Sequence, residues 1–99
     1  MSWSVRIQDE MGRGVSGDDI DVPFRILDRL PPNTPMLRGI DRYQDTTFNG
    51  MQLEFFVQEW ETLASQITNP DDKAVWEKVT ACANRCVEEP HLYLKFIGD

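Results

Sequence analysis

Phe48-Asn49-Gly50-Met51-Gln52-Leu53 writes the start of a helix in three independent ways. Asn49 caps the first turn through its side-chain oxygen, and Gln52, three residues on, reaches back to complete a capping box. Phe48 before the cap and Leu53 within the first turns have the spacing of a hydrophobic staple. The helical period continues to Ile67. At about 100° per residue, Leu53, Phe56, Val57, Trp60, Leu63, Ala64 and Ile67 crowd one face, with Glu54, Gln58 and Glu61 on the other side.

Asn69-Pro70-Asp71-Asp72 is a second start signal: a cap, a proline at the first helical position, and two acids favoured by the helix dipole. Val75, Trp76, Val79, Cys82, Ala83, Cys86 and Val87 form the apolar stripe of this second long helix, and Pro90 ends it.

Both ends of the chain read as strands. Trp3, Val5 and Ile7 alternate with Ser4, Arg6 and Gln8, and Leu92, Leu94 and Phe96 alternate with His91, Tyr93, Lys95 and Ile97. Two strands alone are marginal, so the terminal strands pair with each other or with a third short strand under a layer of helices. Between them, Gly12, Gly14 and Gly17, with Asp18 and Asp19, mark a loop. Asp21 as a cap and Pro23 at a first helical position favour a short helix over Pro23 to Leu30, although a brief strand near Asp19 to Val22 fits the alternation too. Pro31, Pro32 and Pro35 call for an extended connection, after which Met36, Leu37 and Ile40 anchor an aperiodic segment to the core. The expected fold is α+β: one domain over residues 1–99, with a small sheet joining the terminal strands, packed against two long helices and one short one.

Ninety-nine residues with 40% hydrophobic content, three Trp and five Phe suffice for a packed core without metal or disulfide help. Seventeen Asp and Glu stand against ten Lys and Arg, a net charge of −7. Repulsion from phosphates argues against nucleic acid and anionic membrane surfaces, and favours a basic protein partner in rate and selectivity. The acidity also serves solubility alone. No apolar run reaches the ~20 residues of a membrane span, and Met1 to Arg6 lacks the pattern of a signal peptide. With only Cys82 and Cys86 as cysteines, the expected compartment is the cytoplasm.

Candidate chemistry is sparse. Asp41, Asp45 and Asn49 are spaced for a hard cation, but Tyr43 sits where an EF-hand would place a ligand, so turn-building by the two aspartates is the favoured reading. Cys82 and Cys86 share a helix face within the apolar stripe and read as buried thiols rather than as a redox or zinc pair. His91, the single histidine, is the residue type suited to general-base work, with Asp41, Asp45 or Glu89 to assist it. No nucleophile accompanies it, since Ser16 and Ser65 lack the glycine-flanked strained turn of hydrolases. The phosphate-binding loop pattern is absent too, and neither a metal nor a cofactor is expected.

Two stretches, Asp41-Arg42-Tyr43-Gln44-Asp45-Thr46-Thr47-Phe48-Asn49 and His91-Leu92-Tyr93-Leu94-Lys95-Phe96-Ile97-Gly98-Asp99, resemble signatures of a family of small acidic bacterial proteins of unknown function. That family's first signature reads as an Asp-Pro-Tyr-Gly-Asp-Thr turn leading into Phe-Asn; here Arg42 and Gln44 replace its turn-forming residues. The resemblance covers the chain from about Leu30 onward. It implies a compact bacterial cytoplasmic protein and supplies no activity.

Two functional readings follow. The preferred one is a non-enzymatic module that binds another protein, with a basic one favoured, in a regulatory or immunity-like role, using Met51, Phe55 and the polar group Asp41, Arg42, Tyr43, Asp45 and His91. The alternative is a small enzyme or ligand-binding protein with a pocket near Asp41, Tyr43, Asp45 and His91. Met51 and Phe55 lie one helical turn apart and more than about 100° from the centre of the buried stripe. Either the proline-rich segment from Pro31 to Ile40 folds over them, the favoured arrangement, or they stay exposed as an anchor for a partner. Replacing Phe55 with Ser separates the two. A cost comparable to the ~3–5 kcal/mol of deleting a core aromatic marks intramolecular cover, and a small change in urea midpoint marks an exposed anchor.

Overall fold

The computed structural model describes residues 1–15, 17 and 19–99. Ser16 and Asp18, weighed above as a nucleophile and as part of the glycine-rich loop, lie outside the described residues. Strands β1 (Ser2–Gln8), β2 (Ile20–Pro23), β3 (Thr46–Phe48) and β4 (Tyr93–Ile97) form an antiparallel sheet in the order β2-β1-β4-β3. The first and last strands are its central pair, in a register that sets Val5 opposite Phe96 and Ile7 opposite Leu94. Helices α1 (Pro35–Arg38), α2 (Gly50–Glu61) and α3 (Pro70–Glu88) cover the inner face. The fold is α+β, with the terminal strands paired as the alternating patterns imply.

Alternation decides which side of the sheet is inside. Trp3, Val5, Ile7, Val22, Phe48, Leu94 and Phe96 all point inward and are buried. Phe96 is their hub, with its ring centroid 6.0 Å from that of Trp3, 6.1 Å from Phe48 and 5.9 Å from Phe56. Phe56 in turn stacks on Trp60 at 5.4 Å, carrying the aromatic run from sheet to α2. Such pairs add about 0.5–1.5 kcal/mol each beyond the area they bury.

Both long helices begin where their caps dictate. Asn49 Oδ1 accepts from Gln52 N at 2.9 Å, and Asn49 N donates to Gln52 Oε1 at 2.9 Å, closing the capping box. Phe48 and Leu53 are both buried, and the Phe48 ring packs on Phe56 at 5.1 Å, one turn beyond the expected staple. Asn69 Oδ1 accepts from Asp71 N and Asp72 N ahead of α3. The helices are then locked by a reciprocal exchange: Trp60 Nε1 donates to Trp76 O at 3.2 Å, and Trp76 Nε1 to Trp60 O at 3.0 Å.

Three expectations need correction. No helix spans Pro23 to Leu30. Ile20–Pro23 is strand, because the free edge of β1 pairs with it from Ser2–Pro23 to Val5–Ile20, and only Phe24–Leu27 winds into a 3₁₀ turn. A proline closes an edge strand at no cost, since its missing N–H would have had no partner. Asp21 is therefore not a cap; it accepts from the Ser2 hydroxyl. Pro35, in turn, opens the helical turn α1 instead of extending the connection. Finally, α2 stops at Glu61 rather than Ile67. The Thr62 hydroxyl bonds back to Glu59 O at 2.6 Å, the following amides bond three residues back, and Ala64 ends up exposed in a 3₁₀ turn.

Glu59 explains how the short helix α1 holds its place. Its side chain is buried against that helix and accepts from Met36 N at 3.3 Å and Leu37 N at 3.1 Å. Thr34, at α1's own cap position, instead turns its hydroxyl to Pro31 O at 2.8 Å. A carboxylate from α2, more than twenty residues away in sequence, thus does the work of a local cap. Leu37 and Ile40 are buried in consequence. Replacing Glu59 with Ala orphans both amides and is expected to cost about 1–3 kcal/mol, read as a lower urea midpoint. The Gln variant keeps one acceptor oxygen and should recover part of that loss.

Candidate functional site

The segment Asp41–Asp45 connects α1 to β3 and is built as a turn. Asp41 Oδ1 accepts from Tyr43 N at 2.7 Å and Gln44 N at 3.2 Å, the aspartate-turn geometry that lets a loop satisfy its own amides. The turn then grips its surroundings. Asp41 O accepts from the Trp3 indole at 2.8 Å, Arg42 O from Asp99 N at 2.8 Å, and Asp45 Oδ1 from Gly98 N at 3.3 Å. Arg42 pairs with Asp28 at 3.1 Å and lies over the Phe24 ring at 5.3 Å, while Lys95 pairs with Asp45 at 3.3 Å. A side chain at Gly98 would collide with the backbone of Tyr43 and Gln44, so glycine is needed where β4 leaves the sheet beneath this turn.

The polar residues singled out in sequence do not converge. Thr46 pairs with Phe96, which sets Asp45 beside the Ile97 end of β4, whereas His91 precedes Tyr93 at the other end. The four steps from Tyr93 to Ile97 already separate those ends by roughly 13 Å. Tyr43 projects outward at 73% exposure. The link within the set is the Asp41 carboxylate holding the Tyr43 amide, which is turn architecture rather than an acid–base pair. Among the described residues, no group of three or more His, Cys, Asp and Glu is placed to hold a metal ion.

Met51 and Phe55 stand differently. They are 79% and 58% exposed, on the side of α2 turned away from the buried Leu53, Phe56 and Trp60. The favoured cover by the proline-rich segment is therefore incomplete. Pro32–Pro35 approaches α2 but stops short, leaving a cleft of about 590 Å³ whose far wall is Phe55, Gln58 and Thr62. Glu59 lies in the floor, its oxygens committed to Met36 and Leu37. The result is an exposed Met51–Phe55 pair beside a groove. Phe55 was visible in the sequence as an off-stripe aromatic; Glu59 and the groove wall were not, because they depend on how the 31–40 segment folds back.

A second cleft, of about 690 Å³, lies between Arg25–Pro31 and the start of α3. The Arg25 guanidinium spans it, donating to both Asp72 oxygens at 3.0 and 2.6 Å. Hydrogen bonding to that carboxylate raises the Arg25 pKa further above its usual range. None of the residues proposed from sequence lines this cleft.

The two thiols sit on the inner side of α3, Cys86 buried and Cys82 half-buried. Burial raises the pKa of both, pushing Cys86 up to about 11. At neutral pH they are protonated and poor nucleophiles. Iodoacetamide at pH 8 should leave Cys86 of the native protein intact over a period in which the urea-unfolded chain is fully alkylated, as followed by intact mass.

Among the described residues, no helix is long and apolar enough to cross a membrane. The chain matches no protein-family model, no curated protein and no solved structure.

Proposed function

We propose that this chain is a non-enzymatic module that binds another protein, in a regulatory or immunity-like role in the cytoplasm, and that it belongs with the small acidic bacterial proteins whose signatures it resembles. One observation carries the reading: Met51 and Phe55 lie open to solvent on an ordered, doubly capped helix. Scattered apolar residues at a surface are ordinary. A methionine and an aromatic one turn apart, beside a groove, on a rigid element, form the kind of anchor that interfaces favour. The net charge of −7 adds a preference for a basic partner by steering encounter.

The rival reading, a pocket using Asp41, Tyr43, Asp45 and His91, draws no support from residues held at opposite ends of β4. A photo-crosslinking phenylalanine analogue placed at position 55 should give a discrete polypeptide adduct in the native cell. The same analogue at exposed Lys73 on α3 should give none. Adducts at neither position, or equally at both, would overturn the assignment.

A further inference from the structure

We infer that the occupant of this face is a basic amphipathic helix from the partner, lying along α2 with its own apolar stripe on Met51 and Phe55. This deepens the protein-binding reading and rests on it. At about 100° per residue, Met51, Phe55, Gln58 and Thr62 fall within about 40° of the pole opposite the buried stripe, so they form one straight ridge. The ridge runs about 16 Å along the axis, three turns, and matches side chains repeating every three and four positions on a facing helix. An extended peptide suits it poorly. The amides of α2 are bonded within the helix, so a strand laid over Met51 and Phe55 would leave its own N–H and C=O groups against apolar surface, whereas a helix satisfies its backbone internally.

Charge then fixes the partner's flanks. Glu54 and Glu61 lie along one side of the ridge, and neither forms an ion pair among the described residues. The other side is the groove beside Pro32–Pro35, where Glu59 is already engaged by backbone amides. The matching helix therefore has Lys or Arg on one flank and a large apolar side chain on the other, entering the groove beside Phe55. A second copy of this chain is a poor occupant, because two bodies of charge −7 would meet through faces edged by the same glutamates.

The test uses the full chain, isotope-labelled for amide NMR. Its probe is a synthetic 14-residue helix with Leu at every third and fourth position, Lys along one flank, a Phe on the other and Ala elsewhere. Shifts confined to the amides of residues 50–62 and of Asn33 and Thr34 are expected. Replacing Glu54 and Glu61 with Gln should weaken binding about tenfold, and replacing Met51 and Phe55 with Ser should abolish it while the rest of the spectrum is unchanged. Equal binding of a scrambled peptide of the same composition, shifts centred elsewhere, or no shifts at all would overturn the inference. The crosslink at position 55 distinguishes the two levels. An adduct through an acidic or non-helical segment refutes the basic helix and leaves protein binding standing; no adduct, with no peptide binding, refutes both.

Discussion

Pairing of β1 with β4 is the interaction on which the rest of the fold depends. It joins Ser4 to Ile97 and Gln8 to Tyr93, and it brings Trp3 and Phe96 onto one face as the floor for everything above. Without that floor Phe56 would have no ring to pack against and α2 no fixed height over the sheet. The turn at Asp41–Asp45 depends on it as well, because its partners are the Trp3 indole and the amide of Gly98, one from each side of the central pair. Asp41, Arg42 and Asp45, which stand out as a polar group when read linearly, are in space a clasp over the junction of the two strands.

That clasp explains why the fold was more legible than the site. Caps and alternation are local: Asn49 with Gln52, Asn69 with Pro70, and Trp3-Val5-Ile7 act on neighbours a few residues away, so a linear reading finds them. Pro23 and Pro35 each had a local reading that context overruled, one by the free edge of β1 and the other by a carboxylate on α2. Thr62 ended α2 early through a side-chain bond that propensity alone does not rank above the apolar pattern running to Ile67. Glu59 was hidden most fully, since nothing around it in sequence marks an acid as the cap of a distant helix.

The surface divides by how well its groups are satisfied. Around β4 the ionic side chains are paired, Arg6 with Asp19, Lys95 with Asp45 and Arg42 with Asp28, and exposed pairs of that kind contribute about 0–1 kcal/mol each. They hold loops in place. On the outer side of α2 the balance differs: two large apolar side chains and two unpaired glutamates share one helical stripe. Met51 at 79% and Phe55 at 58% exposure bury only part of their area within the fold.

The placement of β4 has a consequence for how the molecule comes into being. Residues 93–97 are made after nearly every other element, yet they occupy the middle of the sheet between β1 and β3. During synthesis the early hairpin of β1 and β2 therefore waits with one edge bare and Trp3, Val5 and Ile7 uncovered, and β3 has no neighbour at all until β4 emerges. Closing contacts across some ninety positions is slow compared with winding α2 and α3. On the ribosome the helices and the β1–β2 hairpin can therefore form before the four-stranded sheet can close, and the bare edge of that hairpin stays open to pairing with another chain until β4 emerges.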